Sequence, residues 1–122
     1  MVGERAVLVV DDDESIRLLC RVNLELAGHR VVDAVTLADA SALLDEVEPD
    51  VVLLDVHVGA EDGLAFAAEI RARRPEAAVV LLTGSAELDA LRAAGVDAVL
   101  RKPFDLDHLR RTVAQLAGRA HV

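Results

Sequence analysis

Two kinds of hydrophobic pattern alternate along the chain. Residues 51–55, Val-Val-Leu-Leu-Asp, run four large apolar side chains straight into a carboxylate. A short β-branched run without polar alternation reads as a strand buried on both faces. Residues 6–10 and 78–82 have the same character, residues 96–100 read as a fifth strand, and residues 30–34 mix in polar positions, as an edge strand does. Between these runs the apolar residues recur every three or four positions. Residues 14–27 place Ile16, Leu19, Cys20 and Leu24 on one helical face, and residues 37–47 do so with Leu37, Ala40, Leu43, Leu44 and Val47. Residues 64–74 carry Phe66 and Ile70 four apart, residues 86–94 form a short helix closed by Gly95, and a last helix carries Leu106, Leu109, Val113 and Leu116. Gly28, Pro49 and Pro75 punctuate these elements, Thr36 and Asp105 are N-cap residues, and residues 57–63 read as a loop.

A strand followed by a helix, five times over, predicts an α/β fold with a parallel sheet and helices on both faces. Right-handed crossovers leave few topologies. The doubly wound (βα)5 arrangement, with a five-stranded parallel sheet in the order 2-1-3-4-5, fits best because the mixed-polarity second strand takes an edge. Residues 1–122 are expected to form one domain.

Composition narrows the function. The chain is 53% hydrophobic but only 2% aromatic, so its core is aliphatic. A net charge of −9 disfavours direct binding to nucleic acid or to an anionic membrane, and points to a metal cation or a basic protein face. The single cysteine, Cys20, rules out an internal disulfide and suits a cytoplasmic setting. No apolar run has the length of a transmembrane helix, and the first residues lack a signal-peptide pattern.

Chemistry-bearing residues collect at the ends of the expected strands: Asp11 and Asp12, Asp33 before Ala34, Asp55, Thr83, and Lys102. Ligands of open α/β sheets bind at the carboxyl ends of strands, where the chain order reverses. In the order 2-1-3-4-5 that point lies between the first and third strands, which bring Asp11, Asp12 and Asp55 together. Three close carboxylates require a compensating cation. Hard oxygen donors favour Mg²⁺, with Mn²⁺ as the alternative ion. A divalent cation, a lysine and a hydroxyl together suit a phosphoryl group, and an aspartate can accept phosphate covalently. The residues therefore point to Mg²⁺-assisted phosphorylation of an aspartate.

Leu8-Val9-Val10-Asp11-Asp12 with Arg17, Val52-Leu53-Leu54-Asp55 with Gly63, Leu81-Leu82-Thr83, and Lys102-Pro103-Phe104 together resemble the receiver domain of two-component response regulators. The resemblance covers nearly the whole chain, and its separate matches fall in order at the strand ends. It implies a flavodoxin-like fold and a role in phosphorelay signalling rather than enzymatic turnover. It makes Asp55 the phospho-acceptor, served by a sensor histidine kinase or a histidine phosphotransfer protein. It gives Mg²⁺ carboxylate ligands from Asp12 and Asp55, a water-mediated contact with Asp11, and the backbone carbonyl of His57. Thr83 would hydrogen-bond the phosphoryl oxygen, Lys102 would pair with it, and a cis bond would precede Pro103. A downstream protein target, and a monomer or weak dimer, complete the expectation.

The chain departs from that family pattern in places. Val99 stands where an aromatic residue usually reports phosphorylation, the stretch from Thr83 to Lys102 is shorter than usual, and Gly59 replaces a common proline. Two other readings follow from these departures: a constitutive interaction module that works without phosphorylation, or a receiver fragment of a larger regulator or hybrid kinase. A small phosphatase is a third class, but it would need a second acid where His57 stands.

Overall fold

The computed structural model describes residues 6–84 and 95–119. Strands β1 (Ala6–Val10), β2 (Arg30–Ala34), β3 (Val51–Asp55), β6 (Ala78–Thr83) and β7 (Ala98–Arg101) form one sheet. Every pairing in it is parallel, and the order is β2-β1-β3-β6-β7. This is the expected 2-1-3-4-5 order once a small hairpin, β4 (His57–Val58) with β5 (Glu61–Asp62), is left out of the count. The helices are α1 (Glu14–Leu26), α2 (Leu37–Val47), α3 (Gly63–Arg73) and α4 (Leu106–Arg119).

Strand periodicity divides the core in two. Side chains alternate between the faces of a strand. Leu8, Val52, Leu54 and Leu81 point into a layer with Leu44 of α2 and Ile70 of α3. Val9, Leu53, Val80 and Leu82 point into the other, with Leu24 of α1 and Leu109 of α4. The three central strands β1, β3 and β6 are buried along their whole length, which is why their sequences show no alternation. The outer strands β2 and β7 keep exposed or half-buried positions.

Local signals set the helix starts. The Asp13 carboxylate accepts the Ser15 N–H at 2.9 Å, Thr36 Oγ1 accepts the Asp39 N–H at 3.1 Å, and Asp105 accepts the Asp107 N–H at 2.9 Å. Each is an N-cap that satisfies an otherwise orphaned donor of a first helical turn.

Four expectations change. Leu19 does not face the core; it is exposed, and the inward face of α1 runs through Ile16, Cys20 and Leu24. The four-residue step of that face leaves Leu19 about 100° aside. The segment after Asp55 is a tight hairpin rather than a loop. Gly59 supplies its turn with a φ of 62°, which proline, locked near −65°, cannot adopt. The last strand begins at Ala98, not Val96, and α3 starts one residue earlier, at Gly63. The expected helix at 86–94, and most of the shortened stretch before Lys102, lie outside the described residues.

Candidate functional site

The fold brings the strand-end residues to one place. Asp11 follows β1, and its N–H donates to the Ala34 carbonyl of β2 at 3.2 Å. The β1–β3 register pairs Val10 with Leu54, so the next residues on each strand, Asp11 and Asp55, stand at one level. Ligand oxygens of Asp11, Asp12 and Asp55 all lie within 4.8 Å of one another. Asp11 is fully buried, Asp55 nearly so, and Asp12 is exposed. Thr83, also buried, ends β6 one position beyond the partner of Asp55.

Lys102 enters from β7. Its N–H donates to the Thr83 carbonyl at 2.6 Å, and the Lys102–Pro103 bond is cis, as the resemblance implied. Its Nζ lies 2.8 Å from Asp11 Oδ2 and 3.5 Å from Asp55 Oδ2. The expected side chains therefore come from one edge of the sheet, and His57, expected to contribute only its backbone carbonyl, keeps its imidazole exposed. The His57 backbone N–H donates to Asp55 Oδ1 at 3.3 Å.

The pocket carries an excess of negative charge. Burial, and then the charge of Asp11, raise the Asp55 pKa above the usual carboxylate value; Lys102 and the His57 N–H pull the other way. Burial opposes the charge on Lys102, but its hydrogen bond to Asp11 and the charges of Asp11 and Asp55 outweigh it and raise its pKa. One ammonium faces three carboxylates. At such separations each carboxylate pair repels by about 3 kcal/mol at an effective dielectric near 20. These oxygen donors match a divalent hard cation, with Asp11, Asp12 and Asp55 as the residues that would hold it. Soft donors play no part. The Cys20 thiol is buried, and burial first and the Asp11 charge second push its pKa up to about 12, so it stays protonated.

Three supporting residues were not assigned roles by sequence reasoning. Arg17 Nη1 donates to the Asp11 carbonyl at 2.8 Å, and Arg17 Nε lies 3.6 Å from Asp33 Oδ2. Gly63 presses its N–H onto the Val56 carbonyl at 2.8 Å, leaving no room for a Cβ against the Asp55 and Val56 carbonyls. Arg17 and Gly63 belonged to the motifs, but their partners are far away in sequence or are backbone atoms. Asp33 stood among the strand-end residues, but nothing local in the sequence tied it to Arg17 or Arg21.

A family model described as the response regulator receiver domain matches residues 7–114. The DNA-binding dual master transcriptional regulator RpaA of Synechocystis sp. is 32% identical over 118 residues, covering 93% of this chain and 49% of that protein. The DNA-binding transcriptional regulator NtrC of Escherichia coli (strain K12) is 38% identical over 104 residues, covering 83% of this chain and 22% of that protein. The chain thus spans half or less of the length of these curated relatives. Among solved structures, a response regulator from Thermotoga maritima aligns with a TM-score of 0.85 at 28% identity, covering 95% of this chain and 99% of that one.

Proposed function

Because the chain belongs to the response regulator receiver family, whose domains serve two-component signalling, we propose that Asp55 is its phospho-acceptor in a pocket that holds Mg²⁺. The donor is the phosphohistidine of a sensor histidine kinase or histidine phosphotransfer protein. The observation that carries this reading is the meeting of the Asp11, Asp12 and Asp55 carboxylates with Lys102 Nζ at the switch point between β1 and β3.

An Asp55 oxygen attacks phosphorus as the N–P bond of the donor imidazole breaks, and the imidazole leaves with the bonding pair. A bound divalent cation supplies charge neutralisation for the phosphoryl oxygens. Lys102, already between Asp11 and Asp55, turns its ammonium toward the new phosphoryl oxygens. The buried Thr83 hydroxyl stands at the end of the neighbouring strand to donate to one of them. The chain is modified once per signalling cycle and turns over no separate substrate. Val99, β-branched and half-buried against the core, has no aromatic ring to rotate. The response then passes through the segment after Thr83 or the face of β7 and α4.

Incubation with acetyl phosphate and Mg²⁺ should add one phosphoryl group by intact mass, sensitive to chelation and mapped to Asp55 after borohydride reduction of the acyl phosphate. An adduct elsewhere, or no adduct under rapid quenching, would defeat the reading. Docking of the donor has its own surface. Helix α1 starts at the pocket lip and exposes Leu18, Val22 and Leu26 at four-residue spacing, by 59%, 46% and 82%. A stripe of this kind fits the helices that carry a phosphohistidine. Val22→Glu should slow transfer from a phosphorylated kinase about fivefold or more, the cost of roughly 1 kcal/mol at an interface. Its rate with acetyl phosphate should be unchanged; equal losses with both donors would count against docking there. Among the described residues no helix is long and apolar enough to cross a membrane.

A further inference from the structure

The acidic limb between β1 and α1 belongs to neither element, yet it must present two carboxylates to one cation. The Asp11 peptide is fixed at both ends. Its N–H donates to Ala34 of β2, and its carbonyl accepts Arg17 Nη1 at 2.8 Å. The Asp11 carboxylate is held as well, since its Oδ1 accepts the Asp13 N–H at 2.9 Å and its Oδ2 meets Lys102. Asp12 differs. It is exposed, and no hydrogen bond or ion pair holds its carboxylate among the described residues. The Cα from which that side chain departs is held by the peptide plane between Asp11 and Asp12, and the oxygen of that plane is the one Arg17 grips.

Arg17 is itself anchored. Its side chain is only 15% exposed, and its Nε faces Asp33 Oδ2 at 3.6 Å. Asp33 Oδ1 accepts Arg21 Nη2 at 3.1 Å, and Arg21 Nη1 reaches the Val31 carbonyl at 3.1 Å. The separation from Asp33 is long for a charge-assisted hydrogen bond, whereas the contact with the Asp11 carbonyl has ideal length. The geometry of Arg17 thus favours holding the backbone over pairing charge.

We propose that Arg17 is a positioning residue for the divalent-cation site: by holding the Asp11 carbonyl against β2 it aims the Asp12 carboxylate. This rests on the reading of Asp11, Asp12 and Asp55 as the cation site. Groups that orient metal ligands without touching the metal typically change affinity by tenfold to a hundredfold when removed. Arg17 also brings a positive charge near the acidic pocket, which by itself opposes a bound cation, so any loss of affinity on its removal reports the grip and not the charge. The two contributions separate by substitution, because lysine retains the charge but not the forked grip on both the carbonyl and Asp33.

Calorimetric titration of the metal-free protein with Mg²⁺ tests the proposal, alongside thermal unfolding in chelator. Arg17→Ala should bind Mg²⁺ about tenfold more weakly than wild type, and Arg17→Lys, which keeps the charge without the grip, should bind at least as weakly. Arg21→Ala removes the second arginine from Asp33 and the contact with Val31 but touches no atom of Asp11. It should lose stability and keep wild-type Mg²⁺ affinity. In metal-free amide spectra, Arg17→Lys should shift the Asp12 and Asp13 resonances, which provides a readout if Arg17→Ala does not fold. Wild-type affinity in both Arg17 variants would overturn the proposal, as would an equal loss of affinity in Arg21→Ala. A wild-type protein that binds no Mg²⁺ would instead defeat the underlying cation site.

Discussion

Asn in place of Asp55 should give a protein that accepts no phosphoryl group and yet, in chelator at neutral pH, unfolds at a higher temperature than wild type. Loss of acceptance follows from loss of the nucleophilic oxygen. The gain in stability follows from the Asp55 pKa, raised above 3.8 by burial and by the Asp11 charge. Well below pH 3.8 both folded and unfolded chains carry the neutral acid, and Asp55 costs nothing. As pH rises, the unfolded chain ionises first, so folding loses stability progressively until pH has passed the raised native value. The carboxylate repulsion of about 3 kcal/mol is partly offset by Lys102. A net gain for Asn of about 1 kcal/mol, or a few degrees in Tm, is expected. Circular dichroism melts from pH 3.5 to 7 check this: the two proteins should converge at the acid end and separate toward neutrality. Saturating Mg²⁺ should close the gap by stabilising wild type more. An Asn variant that melts below wild type in chelator at pH 7 would refute the account of the pocket as a strained cluster of acids.

The second large effect falls on a residue with no chemistry of its own. Gly63→Ala should lower stability by about 2–3 kcal/mol, the cost of forcing an atom where none fits. The added Cβ overlaps the Asp55 carbonyl oxygen and comes within 2.9 Å of the Val56 carbonyl oxygen. Both are backbone atoms and cannot swing aside like the end of a flexible side chain. Either α3 must lift from β3, breaking the Gly63 N–H to Val56 bond, or the backbone carrying Asp55 must shift. For a domain of this size Tm should fall by about ten degrees, and acceptance of phosphate should slow because the nucleophile moves. A Tm within a degree or two of wild type would show that the first turn of α3 can yield.

Much of the site was legible because strand exits were legible. Asp11, Asp55 and Thr83 each follow an unbroken apolar run, Lys102 comes directly after the last strand, and in a parallel sheet every such exit lies on one edge. Their convergence needed only the strand order, and the polar mixture of residues 30–34 supplied that. What escaped depended on atoms that leave no periodic trace. Leu19 looked like a core residue because it is apolar and adjacent to Cys20, but that side of α1 lies toward solvent and Leu19 is 43% exposed. The hairpin after Asp55 is two residues per strand, too short to show alternation. Arg17 and Gly63 act on main-chain oxygens, whose positions follow from the fold and not from residue type.

The division of the core into two layers limits how the length of this chain can vary over generations. Each central strand sends consecutive residues to opposite layers, so one inserted or deleted residue in β1 or β3 would exchange the two sets of side chains and displace the terminal acid by about 3.3 Å. Changes of length are better absorbed at the opposite edge of the sheet, in the turns between a helix and the next strand, because those residues stand away from the acids, although Ala77 there still belongs to a core layer. Substitutions within a strand are tolerated if they stay apolar and similar in volume. Changes in its length are not, and the frame of β1 and β3 becomes a trait inherited as strictly as the acids they end on.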